Sequence, residues 1–360
     1  MEIKNVYQRK DGRWEGRVYR GKKPNGKRKY KSFFSHTKES LYEKMQNFFK
    51  AEIQNNTCTK TFSETFPEWS NLHKHNVKES TLANYLMKAD KHILPFFGDK
   101  KISDITVEDT YEFVELKQKE NLSDRYIADI IRLFKNVFKY LVKTYHVSNP
   151  LDGFKFTKKK APEIQLLDNS EQKKLQEYIS DNHNRTTAGI GLTMGTGLRI
   201  GEACGLQWKD IDFEKRTLTV RKTVQRIRCI NSEKKTKVII TEPKSESSQR
   251  TIPLTENIVN FLKEFKGDDE EFVLSGTNKP LEPRTMKYRF VRILKLLDLP
   301  LVHFHSLRHI FATTCIKLGF DVKTLSELLG HSKVEITLNR YVHSSFEQKR
   351  EYMERLSLNF

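Results

Sequence analysis

The chain has 360 residues, more than one ordinary compact domain holds, and this length predicts two or three domains. Its 65 Lys and Arg outnumber its 46 Asp and Glu, giving a formal net charge of +19, while hydrophobic residues at 37% suffice for real cores. Such a charge favours a polyanionic partner, nucleic acid rather than a membrane surface, because we find no amphipathic helix with a basic rim. An ordinary basic protein is the alternative.

Several classes of protein are not expected from this sequence. No apolar run approaches 18 residues, so we predict no membrane span, and the first residues lack the apolar core of a signal peptide. Scattered cysteines without a CxxC pair argue against a disulfide framework or a cysteine zinc site and fit a reducing cytosol. The four are Cys58, Cys204, Cys229 and Cys315.

Residues 1–58 are predicted to form a small, basic sheet domain. Strands flank Asp11-Gly12, a pair typical of hairpin turns, and RKYKSFF forms a third strand after the turn at 24–26. Apolar residues at helical spacing within 38–53 place one helix on the back of this sheet. Its other face would carry basic side chains for the DNA major groove, from the set Arg9, Arg13, Arg17, Arg20, Arg28 and Lys31. A solvated basic face is the alternative.

Residues 59–157 are predicted to be a helical bundle with its own core. Breaks at Gly98 and Pro150 and the apolar periodicity give helices at 62–76, 79–94, 106–120 and 123–146. The basic, proline-containing stretch that follows predicts a linker at 158–166. Residues 167–360 then alternate helices with a strand-rich centre, TLTVRKTVQRIRCI, KVIITE and QRTIPL.

The segment TGLRIGEACGL contains the first candidate site. Arg199 and Glu202 are three residues apart and would share one side of a helix. An exposed ion pair of little consequence is one interpretation. The other is a guanidinium presented to an anion and held by the carboxylate.

The segment HFHSLRH contains the second candidate site. His305 and Arg308 share a helix face near its N-terminus, where a guanidinium and an imidazole would suit an oxyanion such as phosphate. His305 and His309 also have a spacing seen in zinc pairs. Zinc needs further ligands, and neither an HExxH glutamate nor a cysteine pair is present. We therefore predict no metal site.

The segment LGFDVKTLSELLGHSKVEITLNRYVH contains the third candidate site. Its spacing predicts one helix that ends at Gly330, a turn at His331, and a second helix that leads to Tyr341. On pattern alone this could be a helix-turn-helix of a DNA-binding regulator, with a recognition helix from Ser332. Tyr341 would then be only a packed aromatic residue.

Taken in order, these motifs resemble the tyrosine recombinase family, the lambda-type integrases. The matching stretches are TGLRIGE, the lysine of TEPKSESSQRTIPL, HSLRH, LGHS and RYVH, and they span residues 165–345. Each motif alone is weak, but five in one order are specific. The order of basic sheet, helical domain and catalytic domain also resembles integrases with a separate arm-binding domain.

The resemblance implies a role for each matching residue. Tyr341 would attack a DNA phosphate to form a 3′-phosphotyrosine, and Lys244 would protonate the leaving 5′-oxygen. Arg199 and Arg308 would hold the non-bridging oxygens. The remaining assignments are His305 and His331 as hydrogen-bond or proton-transfer groups, and Glu202 as an orienting residue. The chain offers alternatives to Lys244 in Lys234, Lys235 and Lys237.

The resemblance also implies an α+β multidomain fold: a three-stranded sheet with a helix, a helical core-binding bundle, and a mainly helical catalytic domain with a β-hairpin. It implies a prokaryotic, cytoplasmic, nucleoid-associated enzyme that integrates and excises a phage or mobile element without a metal or ATP. The implied partners are double-stranded DNA at core and arm-type sites, three further copies joined through the C-terminal tail, and an excisionase or DNA-bending host factor. A type IB topoisomerase and a Xer-type resolvase are the related alternatives.

Overall fold

The computed structural model describes residues 6–22, 28–55, 58–157, 165–229, 235–243 and 246–341, with Arg350, Met353 and Glu354. The chain divides into two compact units, Met1–Ala161 and Pro162–Phe360. The finer limits predicted at residues 58, 157 and 167 stay predictions. No helix within the described ranges is long and apolar enough to cross a lipid bilayer.

The first unit begins with a small antiparallel sheet. Its strands β1 (Val6–Gln8), β2 (Trp14–Lys22) and β3 (Arg28–Ser35) lie in that order, and α1 (Lys38–Asn55) packs against β2 and β3. Gly12 has a φ of +82° in the first turn, a conformation that glycine adopts without strain. Met45 of α1 is fully buried against Gly16, where a Cβ atom would lie 2.3 Å from its sulfur. The prediction of three strands and one helix is confirmed.

A helical bundle follows in the same unit. Its elements are α2 (Phe62–His73), α3 (Glu79–Lys88), a π-helical turn (Ala89–Ile93), α4 (Leu94–Phe97), α5 (Val107–Lys119) and α6 (Asp124–Tyr145). The π-helical turn joins α3 to α4, so the predicted helix 79–94 extends to Phe97. The apolar stripe of α6 is buried, and the Phe134 ring stacks on Phe97 with centroids 4.4 Å apart. Aromatic packing therefore gives the bundle a core of its own.

The second unit is mainly helical. Its helices are α7 (Asn169–Asp181), α8 (Arg185–Thr196), α9 (Ile200–Cys204), α10 (Glu256–Lys263), α11 (Pro283–Leu296), α12 (His305–Lys317), α13 (Val322–Leu329) and α14 (Val334–Tyr341). Its strands are β4 (Ile211–Asp212), β5 (Thr217–Val220), β6 (Thr223–Arg228), β7 (Thr236–Thr241) and β8 (Arg250–Pro253). The predicted mixed, mainly helical fold with a β-hairpin is confirmed.

The strand-rich centre forms two separate sheets. Strands β4, β5 and β8 pair antiparallel, with Val220 opposite Arg250, while β6 and β7 form a hairpin of their own. The continuous run TLTVRKTVQRIRCI is thus divided after Val220 between the two sheets.

Contacts between helices bring distant segments together in this unit. Helix α8 contacts α9 and α12, and α13 contacts α12, α14 and β8. Leu198 before α9, Ala203 of α9 and Leu307 of α12 are buried in one hydrophobic core. Leu325 and Leu329 of α13 are buried in a second cluster with residues of α12. The start of α9, the start of α12 and the end of α13 therefore converge.

Candidate active site

The junction between α8 and α9 places the first arginine. Gly197 ends α8 with a φ of +66°, and a Cβ atom there would lie 2.5 Å from the ring of Phe311, so only glycine fits. Arg199 follows at the N-cap of α9, with its side chain about one third exposed. The chain thereby turns sharply and presents this guanidinium at the protein surface.

Glu202 fixes the orientation of Arg199. Its Oε1 accepts a hydrogen bond from Arg199 Nη1 at 2.6 Å, and its Oε2 accepts one from the Arg199 backbone N–H at 3.0 Å. Arg199 Nη2 also donates to the carbonyl of Gly330 at 3.1 Å. A guanidinium with two fixed hydrogen bonds loses little further freedom when it binds an oxyanion.

A second arginine, Arg250 at the start of β8, shares the Glu202 carboxylate. Its Nη2 lies 2.9 Å from Glu202 Oε2, and both side chains are more than nine-tenths buried. Burial alone would raise the pKa of Glu202, but the charges and hydrogen bonds of Arg250 and Arg199 outweigh it and lower that pKa. Glu202 is therefore a buried anion that both arginines stabilise.

Arg250 is not among the site residues predicted from the motifs, although the strand pattern contains a signal for it. Arg250 is two residues from the buried Ile252, so the alternation of a strand places both on one face. An arginine on the buried face of a strand requires an anion nearby.

The start of α12 places the third arginine and a histidine. Arg308 is 1% exposed, and its Nη1 and Nη2 donate to the carbonyls of Gly197 and Leu329 at 2.7 and 2.6 Å. His305, the first residue of α12, is exposed, whereas His309 is buried with its ring edge-on to His305. Arg308 thus joins the end of α8 to the end of α13, while His305 faces outward.

The turn between α13 and α14 places the second histidine. Gly330 ends α13 with a φ of +62°, and the next residue, His331, lies with Nδ1 2.8 Å from the Oγ1 of Thr337 on α14. Thr337 is fully buried, so this contact fixes the imidazole to the helix. Tyr341 is the last residue of α14, four positions beyond Thr337, and its side chain lies outside the described part of the structure.

These side chains border one cleft of about 430 Å³. Five predicted residues line it: Arg199, Glu202, His305, Arg308 and His331. The remaining lining residues are Thr223, Gln225, Pro243, Ser248, Gly330, Ser332 and Ile336. Pro243 lines the cleft, and the next residue in the chain, Lys244, lies outside the described residues. Two guanidiniums beside two imidazoles make the cleft suitable for a phosphate group.

The open face of the N-terminal sheet is a separate basic surface with a buried carboxylate beneath it. Glu15 on β2 is 2% exposed and accepts hydrogen bonds from Arg17 Nε at 2.7 Å, Tyr7 Oη at 2.7 Å and Arg9 Nη1 at 3.3 Å. The Arg17 hydrogen bond is the largest cause that lowers the pKa of Glu15, to about 2. A buried, ionised glutamate therefore organises the cations of this face.

The remaining basic residues predicted for this face differ in placement. Arg13 pairs with Asp11 in the turn at 2.8 Å. Lys31 lies on the other face of the sheet, where its ammonium is 4.0 Å from the Phe48 ring centroid of α1. The side chains of Arg20 and Arg28 lie outside the described residues.

Two other features bear on chemistry. Among the residues whose positions are described, no group of three or more His, Cys, Asp or Glu is placed to hold a metal ion. Burial raises the pKa of the Cys204 thiol to about 12, so this cysteine is not a nucleophile at neutral pH.

Comparison with known proteins identifies the family. Residues 165–348 match the phage integrase family, and residues 61–117 match the N-terminal SAM-like domain of phage integrases. The chain belongs to the phage integrase family. It is a tyrosine recombinase, an enzyme of site-specific DNA recombination, as its motifs predicted.

Similar proteins share most of the recombinase's length. The tyrosine recombinase XerC-like protein of Caldanaerobacter subterraneus is 29% identical over an alignment of 370 positions, gaps included, which covers 94% of each chain. The ICEBs1 integrase of Bacillus subtilis is 23% identical over 337 residues, 89% of each chain. Relatives from mobile elements agree with the predicted function in integration and excision.

Solved structures share the recombinase's fold. The Tn1549 transposon integrase in complex with transposon right end DNA has a TM-score of 0.69 and 26% identity, covering 83% of this chain and 100% of that one. A lambda integrase dimer bound to a COC′ core site has a TM-score of 0.62 and 19% identity, covering 96% and 99%. The second likeness concerns the fold alone.

Proposed function

We propose that the recombinase cuts and rejoins DNA through a 3′-phosphotyrosine on Tyr341 to integrate and excise a phage or integrative mobile element. One observation carries the assignment of the site: two arginines and two histidines from three distant segments line a single cleft, and the helix beside it ends at Tyr341. A DNA phosphate bound in this cleft would lie among cationic and hydrogen-bonding groups.

The proposed reaction exchanges one phosphodiester for another. The Tyr341 oxygen gives its proton to a histidine of the cleft and attacks the phosphorus, the bond to the 5′-oxygen breaks, and the departing 5′-oxygen takes a proton from Lys244 to become a hydroxyl. Attack by a 5′-hydroxyl on the phosphotyrosine reverses these steps on a new strand. Because each ester bond is replaced by another, the reaction needs no ATP, and the proposal includes no metal or other cofactor.

The cleft residues share the work of stabilising the transition state. Arg199 and Arg308 contact the non-bridging oxygens, on which negative charge accumulates as the tyrosine attacks. His305 and His331 hydrogen-bond the same phosphate or transfer the proton of Tyr341. Glu202 takes no part in bond breaking and holds Arg199 in place, as its two hydrogen bonds to that residue support.

The partners of the enzyme follow the same proposal. The helical bundle and the catalytic unit would bind core sites, and the basic face around Glu15 would bind arm-type sites through Arg9, Arg13 and Arg17. Four copies would assemble on DNA through the C-terminal tail. A lambda integrase of the same fold has been solved as a tetramer bound to a Holliday junction. An excisionase or DNA-bending factor would set direction, in the cytoplasm of a prokaryote at the nucleoid.

A trapping experiment tests Tyr341. The probes are nicked duplexes tiled across the DNA on both sides of the gene, in which the short fragment released by cleavage diffuses away and leaves the adduct. Wild-type protein should give a covalent adduct on a denaturing gel in EDTA without ATP, and Tyr341→Phe should give none. Tyr352→Phe is the matched control and should behave as wild type.

Other outcomes would overturn the proposal. An equal adduct from Tyr341→Phe would assign the nucleophile to another residue. Tight binding of a duplex without an adduct from either protein would favour a DNA-binding regulator. Relaxation of supercoiled DNA that lacks any preferred site would favour a topoisomerase.

A further inference from the structure

Arg250 is a buried charged side chain next to the cleft that the proposed reaction does not use. It begins β8, and its side chain is 6% exposed. It does not line the cleft itself. Burying a guanidinium costs free energy unless its charge is neutralised and its N–H groups are hydrogen-bonded. The partners of Arg250 therefore show which parts of the fold it connects.

The partners of Arg250 come from three separate segments. Nη2 donates to Glu202 Oε2 at 2.9 Å, Nε donates to the carbonyl of Leu328 at 2.6 Å, and Nη1 donates to the carbonyl of Ser248 at 3.2 Å. Glu202 belongs to α9, Leu328 to the end of α13, and Ser248 to the turn before β8. One side chain thus joins three segments: the turn that follows Lys244 in the chain, the helix that begins after Arg199, and the helix that ends just before His331.

Its contact with Glu202 determines how that carboxylate meets Arg199. Oε2 accepts from both Arg250 Nη2 and the Arg199 backbone N–H, and the Arg199 guanidinium takes Oε1 at 2.6 Å. Without Arg250, the carboxylate would lose its hydrogen-bond partner on β8, and the direction in which it holds the Arg199 guanidinium would be less fixed.

Its contact with α13 determines where the glycine turn lies. A Cβ atom on Gly330 would be 3.0 Å from Arg250 Nη1, so the turn packs directly on the guanidinium. The carbonyl of Gly330 accepts from Arg199 Nη2, and His331 follows at once. Arg250 therefore supports the second anchor of Arg199 as well as the first.

We propose that Arg250 is a positioning residue of the recombinase, which acts through Glu202 and the Gly330 turn to hold Arg199 against the scissile phosphate. This inference rests on the role proposed for Arg199. Arg250 does not touch DNA, and its removal should slow cleavage without weakening DNA binding.

The test compares two scissile groups in single-turnover cleavage at saturating DNA. One is the ordinary phosphodiester, and the other is a methylphosphonate, in which a methyl group replaces a charged oxygen and removes the need for a guanidinium. Arg250→Met should slow phosphodiester cleavage about 100-fold, the usual effect of losing one transition-state donor. On the methylphosphonate its defect should fall below about tenfold, as it should for Arg199→Ala.

A double variant and two controls complete the design. In an Arg199→Ala background, Arg250→Met should add less than about threefold, because residues that act as a unit are not additive. Arg185→Met removes an arginine whose Nη1 donates to the Val273 carbonyl away from the cleft, and it should cleave like wild type. If Arg250→Met does not fold, Arg250→Lys replaces it in the test. Lysine keeps the charge but cannot donate to both Glu202 and the Leu328 carbonyl.

Three results would overturn this inference. The first is that the folded Arg250 variants cleave the phosphodiester at the wild-type rate. The second is that the defect of Arg250→Met is as large on the methylphosphonate as on the phosphodiester, and the third is that the defects of Arg250→Met and Arg199→Ala multiply fully in the double variant. Failure of the proposed function gives a different result, because Tyr341→Phe would then retain the covalent adduct. If only the inference about Arg250 fails, Tyr341→Phe still gives no adduct, and the Arg250 variants show one of the three results above.

Discussion

His331 and Thr337 are joined by a hydrogen bond of 2.8 Å between Nδ1 and Oγ1, and Thr337 is fully buried. The bond connects the turn after α13 to the helix that ends at Tyr341. It therefore sets the imidazole and the start of α14 in one rigid arrangement.

Removal of this bond should slow cleavage. Thr337→Val keeps the volume of the side chain but leaves Nδ1 of His331 without its threonine partner. A hydrogen bond of this kind contributes about 1 kcal/mol, so we expect a loss of roughly fivefold in single-turnover cleavage with unchanged DNA affinity. The matched control is Thr193→Val, since the Thr193 hydroxyl donates to the Gly189 carbonyl inside α8. Equal rates for Thr337→Val and wild type would contradict this prediction.

Lys244 should be dispensable when the leaving group needs no proton. Lys244→Ala should slow cleavage of an ordinary duplex about 100- to 10,000-fold, the contribution of a general acid. With sulfur in place of the bridging 5′-oxygen, the thiolate leaves without protonation, and the variant should approach the wild-type rate. Lys235→Ala and Lys237→Ala are the comparisons. Rescue by sulfur of either of them, but not of Lys244→Ala, would reassign the general acid.

Arg308 should not tolerate lysine. Its two terminal nitrogens donate to the carbonyls of Gly197 and Leu329, and a single ammonium on a flexible stem cannot keep both bonds and the same direction. We expect Arg308→Lys to lose about 100- to 1,000-fold in the cleavage rate. Arg185→Lys, at an arginine outside the cleft, should lose little. Quench-flow measurement of adduct formation gives both rates, and a mild defect in Arg308→Lys would argue against its role at the phosphate.

Glu15 should make the N-terminal sheet sensitive to acid. Its folded pKa of about 2 is below the ordinary value of 4.5, so its stabilisation is complete above pH 4.5 and is lost as the pH falls toward 2. Glu15→Gln should therefore unfold at lower urea than wild type at pH 7, and this difference should vanish near pH 2.

Fluorotryptophan labelling can report this effect locally. The chain has three tryptophans, Trp14, Trp69 and Trp208, so the fluorine resonance of Trp14 follows the sheet. Glu43→Gln, at an exposed position on α1, controls for the loss of one negative charge. A pH-independent difference between Glu15→Gln and wild type would show that the charge of Glu15 is not the cause.

Short motifs in the sequence were enough to select the residues that line the cleft. Arg199, Glu202, His305, Arg308 and His331 were all singled out in this way, because charged or imidazole side chains occur there at helical spacing, beside glycine turns in two of the three motifs. The helices of the bundle were equally accessible, since their apolar stripes repeat locally and their ends carry caps such as Ser123, whose Oγ accepts the Tyr126 N–H.

Only the tertiary structure decided which partners those residues have. Arg250 and Glu202 are 48 residues apart, and no local pattern states which buried carboxylate satisfies a buried arginine. Lys31 pairs with Val18 of β2, and Val18 shares a sheet face with Gly16, which packs against α1. The strand register and the side on which the helix packs therefore place Lys31 away from the open face. The apolar periodicity that predicts a helix or strand involves residues close together in the sequence. The pairing of buried charges depends instead on packing between distant segments, which only the folded chain shows.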